Sequence, residues 1–97
     1  MADIIDPAQH ASLVALQTAA DDAFTALDAH TREVGKPGAE WTDEEKQRAE
    51  ELREAVRQAV GAKDEALAES GLAGEHGWYL AGQALKAAAR ESAEQAG

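Results

Sequence analysis

Cysteine is absent from this chain of 97 residues, and basic residues are few. Without cysteine the protein has no disulfide, no thiolate metal ligand and no thiol nucleophile. Only nine Lys and Arg stand against 19 Asp and Glu, which gives a net charge of −10 at pH 7. Residues 1–31 hold five acidic residues and no basic one. Since phosphate binding needs a basic face, we expect no direct binding to nucleic acid.

Long hydrophobic runs are also missing. The longest stretch without a charged residue covers residues 7–20 and still contains polar side chains such as Gln9, Ser12 and Gln17. A membrane helix needs about 20 mostly apolar residues, so we expect no membrane span. The first residues show no basic segment followed by an apolar one, which a secretory signal would have. These observations predict a soluble, cytoplasmic protein.

Large apolar side chains are scarce, because alanine supplies 24 residues while Leu, Ile, Val and Phe together supply 15. A fraction below about 20 % for these four types, combined with high net charge, is typical of chains that do not fold unaided. The length is enough for one domain only, which we place at residues 1–97. The composition therefore predicts a helical protein with a thin core, or one that needs a partner.

The first helix is predicted over residues 7–34. Asp6 offers an N-cap oxygen, and Pro7 suits the first helical position because it lacks the N–H that would go unpaired there. Gly35 suits a left-handed C-cap, and Pro37 blocks continuation of the helix. No glycine and no second proline lies between Pro7 and Gly35, so the helix is expected to be continuous.

A second helix is predicted over residues 43–70. Thr42 and Glu45 have the spacing of a capping box, in which each side chain binds the other's backbone N–H. The glycine-rich stretch 71–77 is expected to form a loop, and a third helix is predicted over about residues 75–94, with its start anywhere from Glu75 to Trp78. No segment alternates apolar and polar residues with the period of a strand, so the fold class is expected to be all-α.

The helix lengths predict an elongated arrangement. Two helices of 28 residues would each be about 42 Å long, which exceeds the diameter of a compact chain of this size. We expect an antiparallel helical hairpin with a shorter third helix against it, in the manner of a three-helix bundle. The inward stripe of the third helix is expected to contain five residues: Trp78, Ala81, Leu85, Ala88 and Ser92.

The third helix should stop short of the turn between the first two. Apolar residues at that end of the hairpin would then be uncovered, and uncovered apolar patches mark partner surfaces. We therefore consider four residues as partner-binding candidates: Leu27, Val34, Trp41 and Ala49. The alternative is that Trp41 folds over the turn and closes it, as apolar residues just before an N-cap commonly do.

Catalytic and metal-binding patterns are not evident. His10, His76 and Glu75 are the nearest approach to a ligand set, but no pair of histidines has the i, i+4 spacing of a helical metal site. Adjacent carboxylates such as Asp21 and Asp22 diverge by about 100° around a helix, so they do not converge on one substrate atom. We expect no enzyme activity, no bound metal and no cofactor.

A non-enzymatic protein–protein interaction module is the function that these features favour. Self-association or docking onto a larger protein would bury apolar area that a thin core leaves exposed. One alternative is an acidic inhibitor or nucleic-acid mimic that occupies a basic cleft of another protein. A second alternative is a small helical metal-binding protein that uses His10 and His76.

Overall fold

The chain forms an all-α structure. A computed structural model describes residues 4–6 and 8–96, and no strand occurs within these ranges. In chain order the elements are helix α1 (Ala11–Val34), a 3₁₀ turn (Gly38–Glu40), helix α2 (Asp43–Glu69), helix α3 (Leu72–His76) and helix α4 (Trp78–Ala96).

Helix α1 begins later than the sequence predicts. The Asp6 carboxylate accepts the backbone N–H of Ala8 at 3.0 Å, as an N-cap would. His10 then interrupts the helical path with φ −106° and ψ 29°, and its Nδ1 accepts the backbone N–H of Asp6 at 3.0 Å. Asp6 and His10 therefore close a separate turn before α1. Pro7, predicted at the first helical position, lies outside the described residues.

The signals around the α1–α2 connection are confirmed. Gly35 ends α1 in the left-handed conformation, with φ 62° and its N–H donated to the Thr31 carbonyl. Glycine is favoured there because a Cβ disfavours this conformation. At the start of α2 the Thr42 hydroxyl accepts the Glu45 N–H at 3.1 Å, and the Glu45 carboxylate accepts the Thr42 N–H at 2.8 Å. This reciprocal capping box fixes the first turn of α2.

The glycine-rich stretch after α2 forms a short helix instead of a loop. Leu72 and Ala73 anchor α3 because both are buried. Gly77 has φ 87° and separates α3 from α4, so the predicted third helix begins at Trp78, the last residue of the range expected for its start. Because Gly77 takes a backbone conformation that other residues rarely adopt, it sets the point at which α4 starts.

One small hydrophobic core connects the elements. Its members come from all four helices and the segment before α1: Ile5, Leu13, Val14, Leu67, Leu72, Ala73, Ala81, Leu85 and Ala89. The two largest fully buried side chains are Leu67 of α2 and Leu85 of α4. Outside this cluster, Ala20, Ala49 and Leu52 are also buried. The core therefore depends on few large side chains and on many alanines that let helices approach closely.

The molecule is elongated. Its dimensions are 50 × 28 × 18 Å, and its radius of gyration is 16.0 Å, against about 12.5 Å for a compact chain of this length. Helices α1 and α3 each pack against both α2 and α4. Within the described ranges, no helix combines the length and the apolar character that crossing a bilayer requires.

Removal of the Leu85 side chain tests how far the fold depends on this core. Leu85 is fully buried while Leu80, in the same helix, is 55 % exposed. We expect Leu85→Ala to lower the free energy of unfolding by about 3 kcal/mol and Leu80→Ala to change it by less than about 0.5 kcal/mol. Urea denaturation followed by circular dichroism measures both. Equal losses in the two variants would contradict the core described above.

Candidate functional site

The first turn of α4 carries three consecutive large apolar residues that are exposed. Trp78 is 55 % exposed, Tyr79 75 % and Leu80 55 %. Ala81, which follows them, is fully buried and begins the inward face of the helix. Successive helical residues diverge by about 100°, so the three side chains cover roughly 200° of the helix circumference. We refer to Trp78, Tyr79 and Leu80 as the α4 apolar surface.

The inward stripe predicted for this helix is correct only in its middle. Ala81 and Leu85 are buried and Ala88 is half-buried, but Trp78 and Ser92 are exposed. Periodicity identifies where a residue lies around a helix, whereas burial also requires a neighbouring element at that level. The run Trp78-Tyr79-Leu80 itself was the missed signal, because three consecutive residues of a helix cannot all face one core.

Acidic residues dominate the end of the molecule that contains the α4 apolar surface. Residues 4–17 include one acidic residue, residues 64–85 include four, and neither range has a Lys or Arg. Leu13, Leu67 and Ala81 belong to the same core cluster, so these two ranges lie together. The cations that border the second range are Lys63, whose ammonium lies 2.8 Å from the Asp64 carboxylate, and Lys86, which follows Leu85. An exposed apolar surface and an excess of negative charge therefore occur at the same end.

The region around the α1–α2 connection is partly closed by its own side chains. The Trp41 indole N–H donates to the Lys36 carbonyl at 2.7 Å, and its ring meets the His30 ring edge-on at a centroid distance of 5.6 Å. Of the four residues considered as partner-binding candidates, Leu27, Val34 and Trp41 are half-buried, while Ala49 is fully buried. The apolar area left accessible here comes from parts of the first three.

A hydrogen bond between His30 and Glu45 connects α1 to α2 near Trp41. His30 Nε2 lies 3.0 Å from the Glu45 carbonyl oxygen, and since a carbonyl only accepts, the Nε2 carries the hydrogen. The Glu45 carboxylate accepts the Thr42 N–H and also lies 3.1 Å from the Lys36 ammonium. The Thr42 N–H is the main cause, and Lys36 the next, of a lowered pKa at Glu45.

The lowered pKa of Glu45 makes this end of the molecule sensitive to acid. A carboxyl with a lower pKa when folded binds fewer protons in the folded state, so stability is present above its ordinary value of 4.5 and is lost as pH falls through the folded value. Glu45→Gln keeps an oxygen for the Thr42 N–H but does not titrate.

We expect Glu45→Gln to be less stable than the wild type at pH 7, because it loses the ion pair with Lys36. The difference should shrink as pH falls from about 5 to about 3. Glu40→Gln is the matched control, because it removes an equal charge without removing a hydrogen bond of the described residues. Thermal unfolding across this pH range gives the measurement, and a Glu45→Gln deficit that stays constant would contradict the assignment.

The three residues considered as metal ligands do not form a ligand set. His10 uses Nδ1 for the Asp6 backbone N–H, and His76 Nε2 lies 3.8 Å from the Glu75 carboxylate. Within the part of the chain that the structure describes, no three His, Asp or Glu side chains are grouped so that they could hold a metal ion.

Described residues line shallow grooves between helices, and two of these grooves carry polar side chains. The groove between α1 and α4, of about 360 Å³, places Asp21 and Asp22 on one wall and Lys86 and Arg90 on the other. Thr18 also lines it, but its hydroxyl donates to the Val14 carbonyl at 3.0 Å. The second groove, of about 340 Å³, has seven lining residues: Gln9, His10, Ser12, Leu13, Ala66, Glu69 and Ser70. Neither lining combines a nucleophile with a base held against it, as covalent catalysis needs.

The buried side chain of Gln17 binds a residue that lines the α1–α4 groove. Gln17 is 3 % exposed, and its amide N–H donates to the Asp21 carboxylate at 2.9 Å. Its amide oxygen has no hydrogen-bond partner among the described residues. The amide thus fixes the Asp21 carboxylate on the wall of the groove.

Comparison with protein-family models, with curated proteins and with solved structures finds no match to this chain.

Proposed function

We propose that this protein is a non-enzymatic protein–protein interaction module that docks onto a larger partner through the α4 apolar surface. The observation that carries the proposal is the exposure of Trp78, Tyr79 and Leu80, each more than half accessible, while among the described residues Leu67 and Leu85 are the largest side chains that are fully buried. Exposed contiguous apolar side chains are typical of binding surfaces. Trp and Tyr are also the residues most often responsible for affinity at interfaces.

We further propose that α1 and α2 form one elongated antiparallel hairpin, with α4 as the shorter third helix of a single domain. Two contacts support this arrangement. His30, late in α1, meets Glu45, early in α2, while Leu13, early in α1, shares the core with Leu67, late in α2. In this arrangement the α4 apolar surface lies at the end opposite the turn. Such a fold needs no disulfide, which suits the cytoplasm.

The turn end is a second candidate surface, and its apolar side chains are less exposed than those of the α4 apolar surface. Part of the Trp41 ring is engaged with His30 and Lys36, and the Ala49 side chain is buried. A partner bound there would contact mainly the accessible parts of Leu27 and Val34. The α4 apolar surface offers larger and more exposed side chains, so we assign it the main role.

The charge distribution along α2 argues against the alternative that the protein is an acidic mimic of nucleic acid. Three arginines lie beside the glutamates of this helix: Arg48 beside Glu51, Arg53 beside Glu50, and Arg57 beside Glu50 and Glu54. A mimic of a phosphate backbone needs a continuous row of negative charge. Ion pairs at intervals along α2 break such a row into short pieces.

A quantitative pull-down with matched variants tests the proposed function. The double variant Trp78→Ser/Leu80→Ser removes most of the α4 apolar surface. Phe24→Ser is its control because Phe24 is exposed to the same extent, 53 %, on a different helix, and Val34→Ser probes the turn end. We expect a protein retained by the wild type and by Phe24→Ser to fall about tenfold or more with the double variant.

Sedimentation equilibrium of the same proteins completes the test. A dimer that the double variant dissociates would assign the surface to a second copy of the chain. Loss of the retained protein with Val34→Ser alone would place docking at the turn end. Identical retained proteins for all four baits, together with a monomeric wild type, would contradict the proposed function.

A further inference from the structure

We infer that the segment bound by the α4 apolar surface is basic and amphipathic, with apolar residues on one side and Lys or Arg beside them. This inference rests on the proposed function and names the chemistry of the partner. Two properties of the same end of the molecule carry it. One is the exposure of the three large apolar side chains, and the other is an excess of carboxylates over the bordering cations Lys63 and Lys86.

The apolar side chains define one half of the recognition. Trp78 and Tyr79 present aromatic faces, and Leu80 presents an aliphatic side chain on the next part of the helix circumference. Tyr79 lies between the other two around the helix, so a partner centred on Tyr79 would meet the near sides of Trp78 and Leu80 with a row of apolar residues, which an amphipathic helix supplies at intervals of three and four. Aromatic faces also attract ammonium and guanidinium groups, so Lys or Arg at the margin of that row would be favoured.

The carboxylates define the other half. The described acidic residues at this end are Asp6, Asp64, Glu65, Glu69 and Glu75. Of these, Asp64 has Lys63 as an ion-pair partner, and Glu75 has only His76 at 3.8 Å. Charges within about 8–10 Å of a ligand are felt at physiological salt. A basic segment would therefore be attracted to this end and held there by contacts that a neutral segment lacks.

The same charges disfavour the two other occupants. A second copy would bring its own acidic end against the first, and like charges facing each other oppose association. A membrane surface rich in anionic lipids attracts basic segments and repels acidic ones. A basic partner is the occupant for which both the apolar and the electrostatic contributions are favourable.

Binding of designed peptides to the full chain tests the inference. The probe is a fluorescein-labelled peptide of leucine and lysine, about four helical turns long, with leucine on one face. A second peptide has glutamate in place of each lysine, and a third has serine in place of each leucine. We expect fluorescence anisotropy to show binding of the first peptide, with affinities for the other two weaker by about tenfold or more.

Variants of the chain then assign the binding to this end. We expect Trp78→Ser/Leu80→Ser to lower the affinity for the leucine–lysine peptide about tenfold, and Phe24→Ser to change this affinity less than about twofold. Glu69→Gln/Glu75→Gln should lower the affinity for the same peptide and reduce the dependence of this affinity on salt between about 50 mM and about 300 mM. Glu40→Gln/Glu44→Gln, at the turn end, removes the same charge and should leave both quantities within about twofold of the wild type.

Several results would overturn the inference. Equal affinities for the lysine and glutamate peptides would show that the carboxylates do not select a basic partner. Equal affinities of the wild type and Trp78→Ser/Leu80→Ser for the leucine–lysine peptide would show that the α4 apolar surface does not bind it. Equal effects of the two glutamate double variants would mean that overall acidity, not this end, attracts the peptide.

A dimer or binding to lipid vesicles, each lost with Trp78→Ser/Leu80→Ser, would replace the basic partner with another occupant while keeping a docking function. If the leucine–lysine peptide does not bind, but the protein retained in the pull-down still depends on Trp78 and Leu80, only the basic character of the partner is rejected. Failure of both experiments, with a monomeric chain, would reject the proposed function as well.

Discussion

The packing of Leu67 of α2 and Leu85 of α4 into a cluster with residues of α1 and α3 holds the molecule together. These two leucines are the largest side chains that are fully buried, and alanines fill much of the remaining core. Alanine allows helices to approach closely but removes little apolar area from water. The fold therefore concentrates its hydrophobic contacts at one end, and it leaves other large side chains without a place inside.

The exposed start of α4 follows from the same constraint. Leu72 and Ala73 enter the core and anchor α3, and Gly77 then allows a change of direction that begins α4 at Trp78. The inward face of α4 is occupied from Ala81 onward. The three larger residues before Ala81 consequently remain at the surface. A short anchored helix, one glycine and a small core together place an aromatic pair in solvent.

Charge is organised differently at the two ends. Near the turn, Glu45 is held by Thr42 and Lys36, and in the first half of α2 Glu50, Glu51 and Glu54 have arginine neighbours. Exposed ion pairs of this kind contribute little to stability individually, but they balance local charge. Carboxylates outnumber cations at both ends, but at the end with the exposed aromatic residues Glu65 and Glu69 form no ion pair with a described residue. This asymmetry distinguishes the α4 apolar surface from a simple defect in packing.

Local signals in the sequence by themselves determined the all-α class, the capping box at Thr42 and Glu45, and the left-handed end of α1 at Gly35. These features depend on residues within one or two turns of each other, so they can be recognised without knowing the fold. Only the tertiary structure decided that Trp78 is exposed, that Ala49 is buried and that Trp41 packs on His30. Burial of each of these side chains depends on which helix lies opposite at that level, and helical periodicity carries no information about the neighbour.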